Sequence, residues 1–199
     1  MIIVIGVDVD GVLADFDTGF KKVVVESSGK DLFGEGWTPN DITTWNYTKD
    51  QYGYTPEEDK AAWEAVKASP SFWYDLPPLD GCFDFLQSLS GDFIEDVYFI
   101  TQRMGRHVKV QTEEWLFTNG YRDVPTVLIS GDKAGCCKSL GITHYIDDKN
   151  ENCRDVFDAE GTIEIYMLAR PWNRQLLGIT RLTTLQEFLD ILKVERERV

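Results

Sequence analysis

Ile2-Ile3-Val4-Ile5-Gly6-Val7-Asp8-Val9-Asp10-Gly11-Val12 opens the chain with an almost unbroken apolar run that ends in two carboxylates. A short, β-branched, nearly all-apolar run predicts a strand buried on both faces of a parallel sheet. Side chains two apart on an extended chain point the same way. Asp8 and Asp10 are therefore expected to share one pocket, and Gly11 lets the backbone turn sharply behind them. Two like charges in one pocket repel, and a hard cation with oxygen ligands relieves them. Magnesium is the implied ion. One carboxylate could then attack phosphorus while the other passes a proton to the leaving oxygen.

Three more strand-like runs end in polar groups of matching chemistry. Asp96-Val97-Tyr98-Phe99-Ile100 ends in Thr101, whose hydroxyl can hydrogen-bond a phosphoryl oxygen. Pro125-Thr126-Val127-Leu128-Ile129-Ser130 precedes Lys133, an ammonium placed to neutralise nucleophile and phosphate together. Thr143-His144-Tyr145-Ile146 delivers Asp147-Asp148, at least one of which could complete an octahedral metal site. Each signal alone has a bland reading, such as a helix cap, a solvated lysine or a turn. Together they put Asp/Asp, Thr, Lys and Asp/Asp at the carboxyl ends of four strands, where open α/β sheets place their ligands. Residues 81–89, 106–119, 133–140 and 152–159 read as intervening helices, and 163–168 as a fifth strand. A last helix is expected from Thr183-Thr184, burying Leu185, Phe188, Leu189 and Leu192 and fraying at Glu195-Arg196-Glu197-Arg198. The fold class is α/β, a Rossmann-like parallel sheet flanked by helices.

Between residues 15 and 78 strand-like runs vanish, while aromatics crowd in and Gly and Pro break the pattern. A helix is expected through Phe16, Phe20, Val23 and Val24. Thr55-Pro56-Glu57-Glu58 starts another, which Ser69-Pro70 stops. This reads as a small, mainly helical cap (15–78) inserted after the first strand of a core formed by 1–14 and 79–199. A lid of this kind excludes water during chemistry and selects the substrate. Aromatic rings stack on nucleobases at about 1 to 3 kcal/mol per base, so a Trp/Tyr-rich lid over a phosphate site suits a nucleotide.

Asp8 to Phe16, Ile100-Thr101, Asp132-Lys133 and Ile146-Asp147-Asp148-Lys149 resemble the four motifs of the haloacid dehalogenase-like hydrolases, and more narrowly the 5'(3')-deoxyribonucleotidase family. Asp75-Leu76-Pro77-Pro78-Leu79-Asp80-Gly81 resembles that family's return from cap to core, and Arg170-Pro171-Trp172-Asn173 a late segment of its microbial members. The resemblance implies Asp8 as the phosphorylated nucleophile and Asp10 as acid/base. It places magnesium on the Asp8 carboxylate, the Asp10 backbone carbonyl and the second Asp of the pair, Asp148, with Asp147 beside it. Thr101, Gln102 and Lys133 would bind phosphate, and Phe16 and Trp45 the nucleoside. The family often carries Ser-Pro after the motif threonine, whereas Gln102-Arg103 stands here. Arg103 is open to two readings, a second phosphate contact or a solvated loop cation.

The formal charge of −14, from 34 acidic against 20 basic residues, argues against a nucleic-acid polymer, which demands clustered Lys and Arg. Cys82, Cys136, Cys137 and Cys153 show no metal-ligand spacing and read as reduced core thiols. Two histidines, His107 and His144, leave little for a His-based hydrolase or a zinc site; His144 reads as a strand residue. The apolar start is too short for a signal peptide and nothing reaches membrane-spanning length, so a cytoplasmic protein without a membrane partner is expected. A homodimer is compatible with these features. The expected activity is magnesium-dependent hydrolysis of a small phosphate monoester, a (deoxy)ribonucleoside monophosphate. The alternatives are a sugar phosphate or other metabolite on the same core, and a non-catalytic nucleotide-binding module.

Overall fold

A computed structural model describes residues 2–90, 94–159 and 161–197. Six parallel strands form one sheet: β1 (Val4–Val7), β2 (Asp96–Thr101), β3 (Thr126–Ile129), β4 (His144–Asp147), β5 (Glu164–Leu168) and β6 (Thr180–Leu182), in the order β3-β2-β1-β4-β5-β6. The chain steps outward from β1 through β2 to β3, then returns to the other side of β1 with β4. Val7 is opposite Phe99 on one side and Ile146 on the other. The direction of winding reverses at the β1/β4 junction, and a crevice opens there beyond the carboxyl ends of the strands.

Alternation along each strand feeds two cores. Ile3, Ile5 and Val7 face one side with Phe99, Ile146, Tyr166 and Leu168, under α4 (Cys82–Ser88), α5 (Val108–Thr118) and α8 (Leu185–Glu197). Val4, Ile100, Tyr145, Ile165 and Met167 face the other, under α6 (Lys133–Ser139) and α7 (Asn150–Ala159). Gly6 is the exception to the apolar run because Ile142 and Tyr145 pack onto its backbone: a Cβ there would lie 2.7 Å from Ile142 Cδ1. Cys82, Cys137 and Cys153 are buried free thiols, and burial pushes Cys82 and Cys137 up to about 12.

Two expectations need correction. The sheet gains a sixth strand beyond the five expected, because Thr180–Leu182 is short and carries Arg181, which leaves no apolar run to read. Helix α8 continues through Glu197 instead of fraying at Glu195. The His144 ring, buried on β4, holds Glu195 at 2.6 Å and Thr143 Oγ1 at 2.8 Å. Arg198 lies outside the described residues.

Residues 15–78 contribute no strand to the sheet. They carry α1 (Phe16–Ser28), a single 3-10 turn (Pro39–Asp41), α2 (Tyr47–Asp50) and α3 (Pro56–Ala68). Asp15 caps α1 by accepting from Thr18 N–H, and Thr55 and Glu58 close a reciprocal capping box on α3. The segment leaves and re-enters side by side: Asp15 N–H donates to Pro77 C=O and Leu79 N–H to Leu13 C=O, both at 2.8 Å. Most of its rings pack on one another. Phe16, Phe20, Trp63, Phe72 and Trp73 form one cluster of stacked, tilted and edge-on rings, while Phe33, Trp37, Tyr47, Tyr52 and Tyr54 form a second of tilted and edge-on rings.

Candidate active site

Strand β1 ends at Val7, but pairing with β4 runs one step further, through Asp8 N–H to Ile146 C=O at 2.9 Å. That bond brings Asp8 beside Asp147 and Asp148, and the three carboxylates offer oxygens all within 4.8 Å of one another. Lys133, at the start of α6, reaches Asp8 Oδ1 at 2.7 Å and also donates to Ile100 C=O. All four side chains are buried. Burial raises Asp8 to about 7; Lys133 opposes the rise, and Asp147 and Asp10 add to it. Burial also lowers the Lys133 ammonium, but Asp8 and Asp147 outweigh that and leave it above its ordinary value. Asp148 is pushed well up, by burial first and then by its acidic neighbours.

The two members of the acidic pair differ in what remains free. Asp147 accepts from three donors: Tyr145 Oη and Asn152 Nδ2 donate to Oδ2, and Lys149 N–H donates to Oδ1. Asp148 Oδ2 accepts from the Trp172 indole N–H at 2.9 Å, while Oδ1 is buried without a partner. A buried carboxylate oxygen without a donor is costly. An all-oxygen set of this kind fits a hard divalent cation.

Asp10 lines the same cleft but lies outside that cluster. The chain turns immediately after β1, with Gly11 at φ 79°, and Asp10 swings toward β2. Its Oδ2 accepts from Thr101 Oγ1 at 3.1 Å, and Arg103 donates to both oxygens, from Nη2 at 2.8 Å and Nε at 3.0 Å. Arg103 is thus not a solvated cation. It is buried, bonded to Thr112 Oγ1 at 2.9 Å and set 4.9 Å over the Trp73 ring. A planar guanidinium with a carboxylate, a hydroxyl and an aromatic face around it has little left for a ligand.

Asp8, Asp10, Thr101, Gln102 and Lys133 line a cavity of about 260 Å³ that also reaches Trp45, Trp63, Lys149 and Asn152. A second cavity of about 120 Å³ shares Asp10, Trp45, Trp63 and Gln102 with it, and adds Phe16, Asp17, Tyr47, Trp73 and Trp172. The site residues read from the sequence therefore line two adjoining cavities, except Asp147, which is buried behind them. Trp45 is 52 % exposed at their rim, with Lys149 Nζ 4.5 Å over its ring, a contact between the aromatic segment and the β4 loop. Sequence reasoning gave no role to Arg170, Trp172 and Asn173. Arg170 Nε donates to Gly11 C=O at 2.7 Å, and Asn173 Nδ2 to Asp148 C=O at 2.7 Å. With Trp172 they tie the β1 turn to the β4 loop. The signal available was the Arg-Pro-Trp-Asn string itself, which shows no contacts until the chain is folded.

Gly11 is fixed by two constraints. Its φ disfavours any L side chain, and a Cβ would lie 2.4 Å from Asp148 Oδ2. Gly11→Ala is expected to cost roughly 1 to 3 kcal/mol and to displace Asp148. A thermal midpoint equal to that of the unmodified protein would contradict this.

A parallel sheet with an acid-bearing β1 turn, a lysine entering α6 and an acidic β4 end is the arrangement of the haloacid dehalogenase-like fold. Solved structures share the fold at low identity. YfnB of Bacillus subtilis, assigned to these hydrolases and bound to magnesium, aligns at TM-score 0.62 with 14 % identity over 96 % of this chain and 98 % of its own. CbbY of Rhodobacter sphaeroides, in complex with phosphate, aligns at 0.57 with 16 % identity over 94 % and 96 %. A Thermotoga maritima protein assigned as a β-phosphoglucomutase aligns at 0.57 with 17 % identity over 97 % and 99 %. No curated protein matches the sequence. The family model for 5' nucleotidase, deoxy (pyrimidine), cytosolic type C protein matches residues 1–198, and the chain belongs to that family of nucleotidases. No helix among the described residues is long and apolar enough to cross a membrane.

Proposed function

We propose that this protein is a cytoplasmic, magnesium-dependent phosphomonoesterase that hydrolyses (deoxy)nucleoside monophosphates through a phosphorylated Asp8. The observation that carries the reading is the partnerless Asp148 Oδ1 within the buried carboxylate cluster, beside the Asp8–Lys133 pair and open to an aromatic cavity. Asp8, the Asp10 backbone carbonyl and Asp148 would hold the ion, with Asp147 keeping its neighbours in place. When bound, magnesium neutralises the carboxylates and the phosphoryl oxygens. An Asp8 oxygen forms a bond to phosphorus as the ester P–O bond breaks, and Asp10 gives its proton to the departing oxygen. Water then attacks the phosphoaspartate, Asp10 takes its proton, and inorganic phosphate leaves as the P–O bond to Asp8 breaks. Lys133, Thr101 and Gln102 bind the phosphoryl oxygens; Arg103 aims Asp10. Residues 15–78 act as the cap, with Phe16 and Trp45 against the nucleoside.

A phosphate-release screen over common nucleoside monophosphates and sugar phosphates, with magnesium and with chelator, tests this. Release from nucleotides alone, abolished by chelator, is the expected result. Preference for sugar phosphates would move the substrate to another metabolite class. Absence of release from every ester would return the fold to a binding role.

A further inference from the structure

The loop between β2 and α5, residues 102–107, is held by the far end of residues 15–78. Trp73 Nε1–H donates to Met104 C=O at 3.0 Å, and Trp73 N–H donates to Gln111 Oε1 at 3.1 Å. Gln111 Nε2 in turn donates to Arg106 C=O at 3.1 Å. Gly105, at φ 117°, packs on the backbone of α3: a Cβ there would lie 2.7 Å from Lys67 C=O. The same loop carries Arg103, whose buried guanidinium lies over the Trp73 ring. Two of its nitrogens hold Asp10, and the third holds Thr112, which donates to Val108 C=O at 2.7 Å and so anchors the group to the first turn of α5. A continuous run of contacts therefore leads from residues 15–78 through Trp73 and Arg103 to Asp10.

A buried ion pair contributes little to stability, because desolvating both charges costs about what their attraction returns. What a guanidinium fork supplies is direction, since two parallel N–H bonds fix the plane of a carboxylate. Direction is what proton transfer needs: a general acid is worth about 10²- to 10⁴-fold only when it is aimed at the departing oxygen. Arg103 and Thr112 line neither cavity of the site, so they act through Asp10 and not on the ligand; Trp73 lines the smaller cavity. We infer that Trp73 and Arg103 are positioning residues: docking of the cap on the β2–α5 loop seats the guanidinium, and the guanidinium fixes the Asp10 carboxylate for proton transfer to the ester oxygen. Cap seating and proton transfer are then one mechanical unit. This rests on the phosphomonoesterase reading above, in which Asp10 is the acid and base.

The test takes the nucleoside monophosphate hydrolysed fastest in the screen above and its analogue with sulfur in place of the bridging ester oxygen, both with magnesium. An alkoxide needs a proton to leave, whereas a thiolate leaves without one because thiols are far more acidic than alcohols. Both esters give the same phosphoaspartate, so the ratio of their kcat/KM values isolates the step in which Asp10 acts as an acid. Asp10→Asn sets the full size of the effect. Arg103→Lys, which keeps the charge and loses the fork, is expected to lower kcat/KM for the oxygen ester by about 30- to 100-fold and for the sulfur ester by at most about threefold. Thr112→Val and Trp73→Phe are expected to shift the ratio in the same direction by about 3- to 10-fold, with circular dichroism and a thermal melt as the check on folding. Thr112→Val is nearly isosteric and carries the test if Arg103→Lys does not fold. Equal losses on both esters in these variants, or no loss, overturn the inference. A ratio moved by Arg103→Lys and Thr112→Val but not by Trp73→Phe overturns the link to the cap. Equal losses on both esters in Asp10→Asn would instead defeat the assignment of Asp10 as the acid, which is a separate outcome.

Discussion

Asp8→Asn is expected to lower kcat by on the order of 10⁴-fold or more while the protein stays folded. An amide nitrogen cannot form the phosphoryl bond, and no other carboxylate in the cluster can replace Asp8. Asp147 is held by three donors, and Asp148 has the Trp172 indole on one oxygen. The fold should tolerate the change because Asn is nearly isosteric and removes a charge that burial penalises, as the rise of Asp8 to about 7 records. Lys133 loses its partner at 2.7 Å but keeps the Ile100 carbonyl and the field of Asp147. The prediction is checked by phosphate release alongside far-ultraviolet circular dichroism and a thermal melt. Release within tenfold of the unmodified rate, from a folded variant, would remove Asp8 from the role of nucleophile.

The fold was legible because its signals are local. An apolar run of β-branched residues reads as a buried strand wherever it sits, so β1 to β5 and the acids, hydroxyl and lysine at their ends could be taken from the string alone. The same holds for Thr55-Pro56-Glu57-Glu58 as the start of α3 and for Ser69-Pro70 as its stop. What stayed hidden depends on contacts between distant positions. Arg103 follows a strand and looks like a loop cation; only folding sets it against Asp10, 93 residues away. Arg170 meets Gly11 across 159 residues, and Trp172 meets Asp148 across 24. Asp17 and Tyr47 likewise become neighbours only in the folded chain.

The alternation of side chains on an extended chain explains one partial success. It put Asp8 and Asp10 in one pocket, which they line together, but it assumed that the strand continued. Gly11 ends the extension, and the turn hands Asp10 to Thr101 and Arg103 while Asp8 stays with Lys133. The two carboxylates therefore receive different surroundings, one facing the acidic cluster and the other an arginine. Different surroundings are what a nucleophile and a proton carrier require.

Magnesium is expected to raise the thermal midpoint at pH 8 by roughly 5 to 10 °C, because saturation at about a hundred times the dissociation constant adds about 2.7 kcal/mol and a chain of this size gains about 2 to 4 °C per kcal/mol. The source is electrostatic. Buried carboxylates held within 4.8 Å of one another oppose folding at a pH where they are ionised, and a divalent cation turns that repulsion into attraction. Asp148→Asn should therefore do two things at once. It should raise the midpoint in chelator, since one buried charge is gone, and it should abolish the response to magnesium, since the only buried partnerless carboxylate oxygen in the cluster is gone too. Trp172→Phe separates these effects. It leaves Asp148 Oδ1 in place but removes the indole N–H that orients the carboxylate, so the response should survive and need about 10- to 100-fold more magnesium. If Asp148→Asn responds to magnesium as the unmodified protein does, the cation is not held at this cluster, and the partnerless oxygen needs another explanation.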